Sequence, residues 1–261
     1  MTLPGLNQLR TLARRGRRAF QRAFPAFAPA PVASLPGGFQ PYPYTLPNRY
    51  PWLFEFARDQ LGAAPGLRLL SFGCSRGDEV FALRSYFPTA RIVGIDVSPE
   101  NIALCRRRAQ AEPAHGLDFV VGATTADEQT ASYDAIFCLA VLCHGDLTTK
   151  AMQRSDSLIT FERFESVVTD FARCLKPGGL LLLHTTNFRF SDTRVAGEFT
   201  PVLDADPTHM ATDVLFDSNN QLLQGTRYYT VGFRRVQPSA APIGRPLHAA
   251  PEDSPRSAPQ P

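Results

Sequence analysis

The sequence predicts an α/β fold: a doubly wound, mostly parallel sheet with an antiparallel hairpin at one edge. Three observations carry that expectation. Between residues 46 and 237, short apolar runs alternate with segments of helical period, as strands joined by crossover helices do. The first run, Leu69-Leu70-Ser71-Phe72, enters the turn Gly73-Cys74-Ser75-Arg76-Gly77, and a helical segment leaves it. Two later runs, Asp213–Asp217 and Arg227–Arg235, are strand-like, and Ser218-Asn219-Asn220 lies in their connection, so they read as the edge hairpin.

Each element has a local cause. Leu67–Phe72 is a short apolar run that ends at a glycine. Asp78–Phe87 places Val80, Phe81, Leu83 and Tyr86 at helical spacing, and Pro88 follows. Arg91–Ile95 is the second strand, ending at Asp96. Ser98-Pro99-Glu100 supplies a capping hydroxyl and a proline at the first helical position, opening a helix to about Ala111. Asp118–Val121 and Tyr133–Ala140 are the third and fourth strands. Thr160–Leu175 is amphipathic, with Phe161, Phe164, Val167, Val168, Phe171 and Leu175 on one face. Lys176-Pro177-Gly178-Gly179 stops it, and Leu180–Thr185 is the fifth strand.

Around this region lie two segments of different composition. Residues 1–45 hold Arg10, Arg14, Arg15, Arg17, Arg18 and Arg22 and no acid. Taking those six from the 27 Lys and Arg leaves 21 basic against 24 acidic side chains, so the body is mildly acidic and the arm carries the basicity. A net charge of +3 is too small to announce a nucleic-acid partner. The arm's leucines and phenylalanines recur at roughly helical spacing between the arginines. That pattern fits a solvated arm, a contact with an anionic membrane or partner, or a targeting segment. Residues 238–261 are rich in Pro, Ala and Ser and read as a disordered tail. The domains expected are therefore a basic, Pro/Ala-rich arm at 1–45, an α/β domain at 46–237 and a tail at 238–261. The cysteine count is odd (Cys74, Cys105, Cys138, Cys143 and Cys174), with no Cys-x-x-Cys pair. That argues against a disulfide framework or a zinc site and places the chain in a reducing cytoplasm, with no metal expected.

The chemistry centres on the glycine turn. Glycine permits positive φ and close approach of a ligand to the backbone, and helix-opening amides face that ligand. Asp96 ends the neighbouring strand 23 residues after Gly73, where a carboxylate can accept from the hydroxyls of a ribose. A dinucleotide oxidoreductase would show Gly-x-Gly-x-x-Gly, and this turn does not. Gly73-Cys74-Ser75-Arg76-Gly77 formally matches the Gly-x-Ser-x-Gly elbow of serine hydrolases, with His184 and His209 downstream. An elbow follows several strands, however, and the residues before this turn show no strand series; Asp96 would also have no role.

Leu69–Gly77 resembles motif I of class I S-adenosylmethionine-dependent methyltransferases. Ile95-Asp96-Val97-Ser98 resembles their acidic second motif, and Tyr133–His144 their fourth-strand motif. Leu175-Lys176-Pro177-Gly178-Gly179 with Leu180–Leu183 resembles the turn into their fifth strand. The four lie in family order over roughly residues 46–237. The form of motif I is also locally similar to that of chemotaxis-receptor methyltransferases, a likeness that brings no substrate with it. The resemblance implies a Rossmann-like fold, S-adenosyl-L-methionine as cofactor and methyl transfer to a small-molecule acceptor. It implies that Gly73, Cys74, Ser75 and Gly77 line the methionine part, that Asp96 holds the ribose, that Val97, Ala123 and Thr124 lie by the adenine, and that Leu139 and Ala140 lie near the sulfonium. Two positions depart from the family pattern. Ser71 stands where many members have an acid, which leaves Asp78 or Glu79 for the cofactor ammonium. Ala123 stands where many have an aspartate for the adenine amino group, which leaves backbone groups or Thr124. These departures keep open a non-catalytic module that binds the cofactor.

Candidates for the reaction itself are His144, with Asp146 nearby, and Tyr44, Arg49 and Tyr50 in the aromatic segment Pro41–Trp52. The resemblance implies that such a segment covers the cofactor and helps form the acceptor pocket, its aromatics excluding water and Arg49 binding a carboxylate or phosphate; the alternative is a Pro-rich connector packed on the sheet edge. His184 inside strand five reads as a packed residue. The long stretch Asn187–Met210 reads as part of the acceptor wall through Phe188, Arg189 and Phe190. The acceptor itself is not legible.

Overall fold

A computed structural model of the chain describes residues 37–41, 44–62, 64–111, 115–209 and 214–237. Most of the basic arm, Tyr42, Met210, Asp213 and the Pro-rich tail lie outside them.

In chain order the elements are α1 (Pro51–Leu61), β1 (Arg68–Phe72), α2 (Asp78–Tyr86), β2 (Arg91–Asp96), α3 (Pro99–Ala111), β3 (Leu117–Val121), β4 (Tyr133–Leu139), α4 (Gly145–Thr149), α5 (Phe161–Cys174), β5 (Leu175–His184), β6 (Phe199–Asp204) and β7 (Thr230–Arg235). The strands form one seven-stranded sheet in the order β3-β2-β1-β4-β5-β7-β6. The first five pair in parallel, and β7 runs antiparallel to both β5 and β6. The order reverses between β1 and β4, and ligands in doubly wound sheets bind at the strand ends beside such a switch.

Both faces of the sheet are covered, and the side chains divide between them with period two. Leu70, Val93, Ile136, Leu181 and Phe233 pack with Phe164, Val168 and Phe171 of α5. Leu69, Ile92, Ala135, Phe137 and Leu182 pack with Leu53 and Phe54 of α1, Val80 and Leu83 of α2, and Ile102 of α3. The amphipathic stripe of α5 is thus one wall of the core, with Phe72 set edge-on against Phe171 at 5.0 Å between ring centroids. Thr160 caps that helix by accepting the Arg163 N–H at 3.3 Å.

Two expectations need correction. The antiparallel partner of β7 is Phe199–Asp204 rather than Asp213–Asp217, of which Phe216 makes only isolated bridges to Phe188 and Leu222. Residues 199–204 make an edge strand around Pro201, a position where a missing N–H costs the sheet nothing on its solvent side. Lys176-Pro177-Gly178-Gly179 does follow the helix, but it lies within β5 as an irregularity, since Tyr133 pairs with Leu175 and Ala135 with Leu180. Lys176 closes it by donating to Asp134 at 2.8 Å. Residues ahead of 46 also reach a cavity. Phe39 is buried in the core beside Phe72 and Val93, and residues 37–41 cross the ends of the strands.

Candidate functional site

A cavity of about 460 Å³ opens at the carboxyl ends of β1, β2 and β4, at the point where the strand order reverses. Its floor is the turn after β1. Gly73 has φ +74°, and a Cβ there would lie 2.4 Å from Val141 Cγ2, so only glycine fits. The turn is tied to β2 by Gly73 N–H and Cys74 N–H donating to Ile95 O at 2.7 and 3.0 Å.

Asp96 joins turn and strand directly. Its Oδ2 accepts the Ser75 N–H at 2.8 Å, while Oδ1 accepts the Ser98 N–H at 3.0 Å and the Asn101 side chain at 3.2 Å. A carboxylate offers about four acceptor positions. Three are occupied, so one on Oδ2 remains for a ligand hydroxyl.

Beside the turn, Ser71 donates to Glu79 Oε1 at 2.8 Å, and Glu79 lines the cavity. Burial pushes the Glu79 carboxyl up to about 7, against the opposing effects of the Ser71 hydrogen bond and the Arg49 charge. Arg49 lines the same cavity, with its guanidinium 5.0 Å from the Tyr50 ring centroid and 5.5 Å from that of Tyr44. Tyr44 and Tyr50 line it as well. Burial raises the Tyr50 phenol, so Tyr50 is neutral at ordinary pH.

Of the positions singled out in the sequence, Gly73, Cys74, Ser75, Asp96, Val97, Leu139, Ala140, His144, Tyr44, Arg49 and Tyr50 come together here. Gly77, Asp78, Ala123, Thr124 and Asp146 do not line the cavity. Gly77 sits beneath the turn as the cap of α2, against Cys105 and Phe81. Asp78 turns to Arg108 at 3.0 Å, so of the two acids considered only Glu79 faces the cavity. Ala123 is covered by Gly37, where a Cβ would come within 2.3 Å of the Ala123 Cβ, and Gly122 takes its place in the wall. Thr124 donates to Asp170 of α5 at 3.1 Å.

Asp146 is not poised to orient His144 through its carboxylate, which pairs with Lys150 at 2.9 Å. Its backbone N–H instead meets His144 Nδ1 at 3.3 Å, capping α4. An N–H can only donate, so Nδ1 accepts and the neutral ring carries its proton on Nε2. Burial lowers the His144 pKa, which keeps the ring neutral near pH 7. His144 therefore presents a donor to the cavity rather than a base.

His184 is buried, and its ring nitrogens meet His209 O at 3.0 Å and Thr185 Oγ1 at 2.8 Å. Burial drives its pKa down to about 4. Trp52 stacks on His209 at 4.9 Å, so this group fastens residues 205–209 to α1 and β5. Phe188 and Phe190 lie in the core and Arg189 pairs with Asp192 at 2.8 Å; none of them walls the cavity as expected. The elbow reading of Ser75 also loses its context, because β1 is the first strand among the described residues and Asp96 bonds the Ser75 backbone.

Sequence reasoning missed Asn187, which is fully buried. It accepts the His144 N–H at 2.7 Å and donates to Val214 O at 2.8 Å, fixing the loop after β4. It also missed Phe39, Gln40 and Arg163 as parts of the wall.

Residues 70–183, from β1 to the end of β5, match the family model described as a methyltransferase domain. The fatty-acid O-methyltransferase of Mycolicibacterium smegmatis is 29% identical over 135 residues, covering 52% of this chain and 43% of that protein. The ubiquinone biosynthesis O-methyltransferase of Idiomarina loihiensis is 28% identical over 126 residues, covering 47% of this chain and 43% of that protein. The chain thus spans less than half the length of these two curated relatives. A solved structure of geranyl diphosphate C-methyltransferase from Streptomyces coelicolor A3(2) is 20% identical, with a TM-score of 0.39 over 51% of this chain and 44% of that one.

Proposed function

We propose that the chain is a class I S-adenosylmethionine-dependent methyltransferase, which transfers a methyl group from S-adenosyl-L-methionine to a small-molecule acceptor. The observation that carries this reading is the 2.8 Å contact between the Ser75 amide and Asp96, which makes the glycine turn and the acid one binding surface.

The residues fit the cofactor's parts. Asp96 Oδ2 has an acceptor position open for a ribose hydroxyl, with Val97 and Gly122 beside it for the base. Glu79 and Arg49 form a complementary pair for an amino-acid zwitterion, the carboxylate for the ammonium and the guanidinium for the carboxylate. Glu79 thereby supplies from α2 the charge that Ser71 lacks, and Ser71 orients it. When bound, the cofactor supplies an electrophilic methyl group on a sulfonium. The protein's part is to position an acceptor and exclude water. Tyr44, Tyr50 and residues 37–41 close the cavity, Leu139 and Ala140 give it an apolar wall, and His144 offers a hydrogen-bond donor.

Isothermal titration with S-adenosylhomocysteine tests the reading. The wild type is expected to bind in the micromolar range, and Asp96→Ala to bind at least about tenfold more weakly. No heat from the wild type at high micromolar ligand would refute it.

The relatives named above are O-methyltransferases of a fatty acid and of ubiquinone biosynthesis, which supports a small organic acceptor here. The arginine-rich arm supplies a contact for an anionic membrane or partner, on the strength of its six arginines. A cytoplasmic site is supported by five buried cysteines, none in a disulfide. Among the described residues no helix is long and apolar enough to cross a membrane.

A further inference from the structure

Four charged side chains line the cavity: Arg49, Glu79, Asp96 and Arg163. Three have partners. Asp96 accepts three N–H groups, and Glu79 and Arg49 act on one another. Arg163 stands apart. Its guanidinium lies 4.1 Å from the Phe39 ring centroid, which holds it against the strap of residues 37–41. Its Nη2 is buried with no hydrogen-bond partner, and among the described residues no carboxylate pairs with it. Burial lowers its pKa. Native structures rarely leave buried polar atoms of this kind without a partner.

The two arginines rest on different clusters. Arg163 lies against Phe39, of the cluster that includes α5, whereas Arg49 lies against Tyr50, which packs on the cluster that includes α1. Arg163 is therefore at a separate part of the cavity from the Arg49 and Glu79 pair, and a zwitterion held by that pair leaves it unmatched. Charge balance points the same way. With Glu79 ionised against the cofactor ammonium the four side chains sum to zero, and the cofactor proposed above adds one net positive charge through its sulfonium. An acceptor with one negative charge neutralises the filled site.

We propose that Arg163, backed by Phe39, is the anchor for an oxyanion of the acceptor, a carboxylate or a phosphate monoester, so that this enzyme methylates anionic small molecules. The assignment rests on the cofactor reading above. The guanidinium fork is suited to two parallel hydrogen bonds to such a group. Cation–π contact with Phe39 fixes its plane. Arg163 is a binding residue here and takes no part in bond making.

The test uses the full chain saturated with S-adenosylhomocysteine, titrated calorimetrically with phenylacetate, octanoate, phenyl phosphate and the neutral phenylacetamide. At least one anion is expected to bind saturably below 10 mM and at least about tenfold more tightly than the amide, and the anion that does so separates carboxylate from phosphate. Arg163→Met is expected to weaken that anion at least about tenfold while changing S-adenosylhomocysteine affinity less than about twofold. Arg163→Lys, which keeps the charge and the alkyl stem but loses the fork, is expected to fall between; it carries the comparison if melting curves show that Arg163→Met does not fold. The proposal is overturned if no anion saturates the wild-type complex, or if the variants bind the anion as well as the wild type. It is equally overturned if Arg163→Met loses S-adenosylhomocysteine as strongly as the anion, which would place the guanidinium on the cofactor. Absence of S-adenosylhomocysteine binding by the wild type is a separate result and removes the cofactor reading itself.

Discussion

Proton linkage at Glu79 gives the sharpest quantitative test of the cofactor site. In the ligand-free protein this carboxyl titrates at about 7, because burial disfavours its charge more than Ser71 and Arg49 restore it. A ligand ammonium binds the ionised form. The ionised fraction rises from roughly a tenth at pH 6 to roughly nine tenths at pH 8, so S-adenosylhomocysteine affinity should rise about tenfold over that range, with proton release on binding near pH 7. Glu79→Gln keeps the shape and removes the titration. Its affinity at pH 8 should be about ten- to a hundredfold below wild type, the worth of a charge-assisted hydrogen bond. Its pH profile should show only the ligand's own amine. Calorimetry in two buffers of different ionisation enthalpy measures affinity and proton release together. Stability has the opposite sign. A carboxyl whose folded pKa lies above its unfolded value near 4.5 keeps its proton longer in the native state, so native stability falls as pH rises from about 4.5 to 7. Glu79→Gln should therefore melt higher than wild type at pH 8, by at most about 3 kcal/mol and by less given the partial exposure of the group. The same affinity slope in wild type and Glu79→Gln would refute the assignment of Glu79 to the ammonium.

Other perturbations address the frame of the site. Gly73→Ala places a Cβ 2.4 Å from Val141 Cγ2 at positive φ and should destabilise by more than about 1 kcal/mol; adding Val141→Ala should restore part of that in a urea-denaturation cycle, and strictly additive losses would contradict the clash. Asn187→Ala strips the partner from the His144 N–H and from Val214 O and should cost about 2–3 kcal/mol in urea denaturation; a change under about 0.5 kcal/mol would mean that the bonds are replaced. Gly37→Ala drives the strap off Ala123, so amide exchange should quicken over residues 37–41, and Ala123→Gly should reverse this; unaltered exchange would show that the strap does not depend on that contact.

The strands of the parallel half were legible because each signal is local. Leu69 and Leu70, or Ile92 and Val93, point to opposite faces of a sheet covered on both sides, so the strands read as unbroken apolar runs. The edge was misread for the converse reason. Phe199–Asp204 is half exposed and interrupted by Pro201, and it resembles a loop until β7 is there to pair with it. Arg163 looked like the solvent side of an amphipathic helix, and Asn187 like the start of a loop. Both owe their positions to residues more than 40 places away, Arg163 to Phe39 and Asn187 to His144.

What the sequence determined by itself is the strand, glycine turn, helix, strand and acid, because turn chemistry and hydrophobic period act over a few residues. Tertiary structure alone decided which groups face the cavity. Asp78 and Glu79 are adjacent and chemically alike, yet one turns to Arg108 and the other to Ser71. Successive positions on a helix point about 100° apart, and only the packing of α2 against the sheet selects between them.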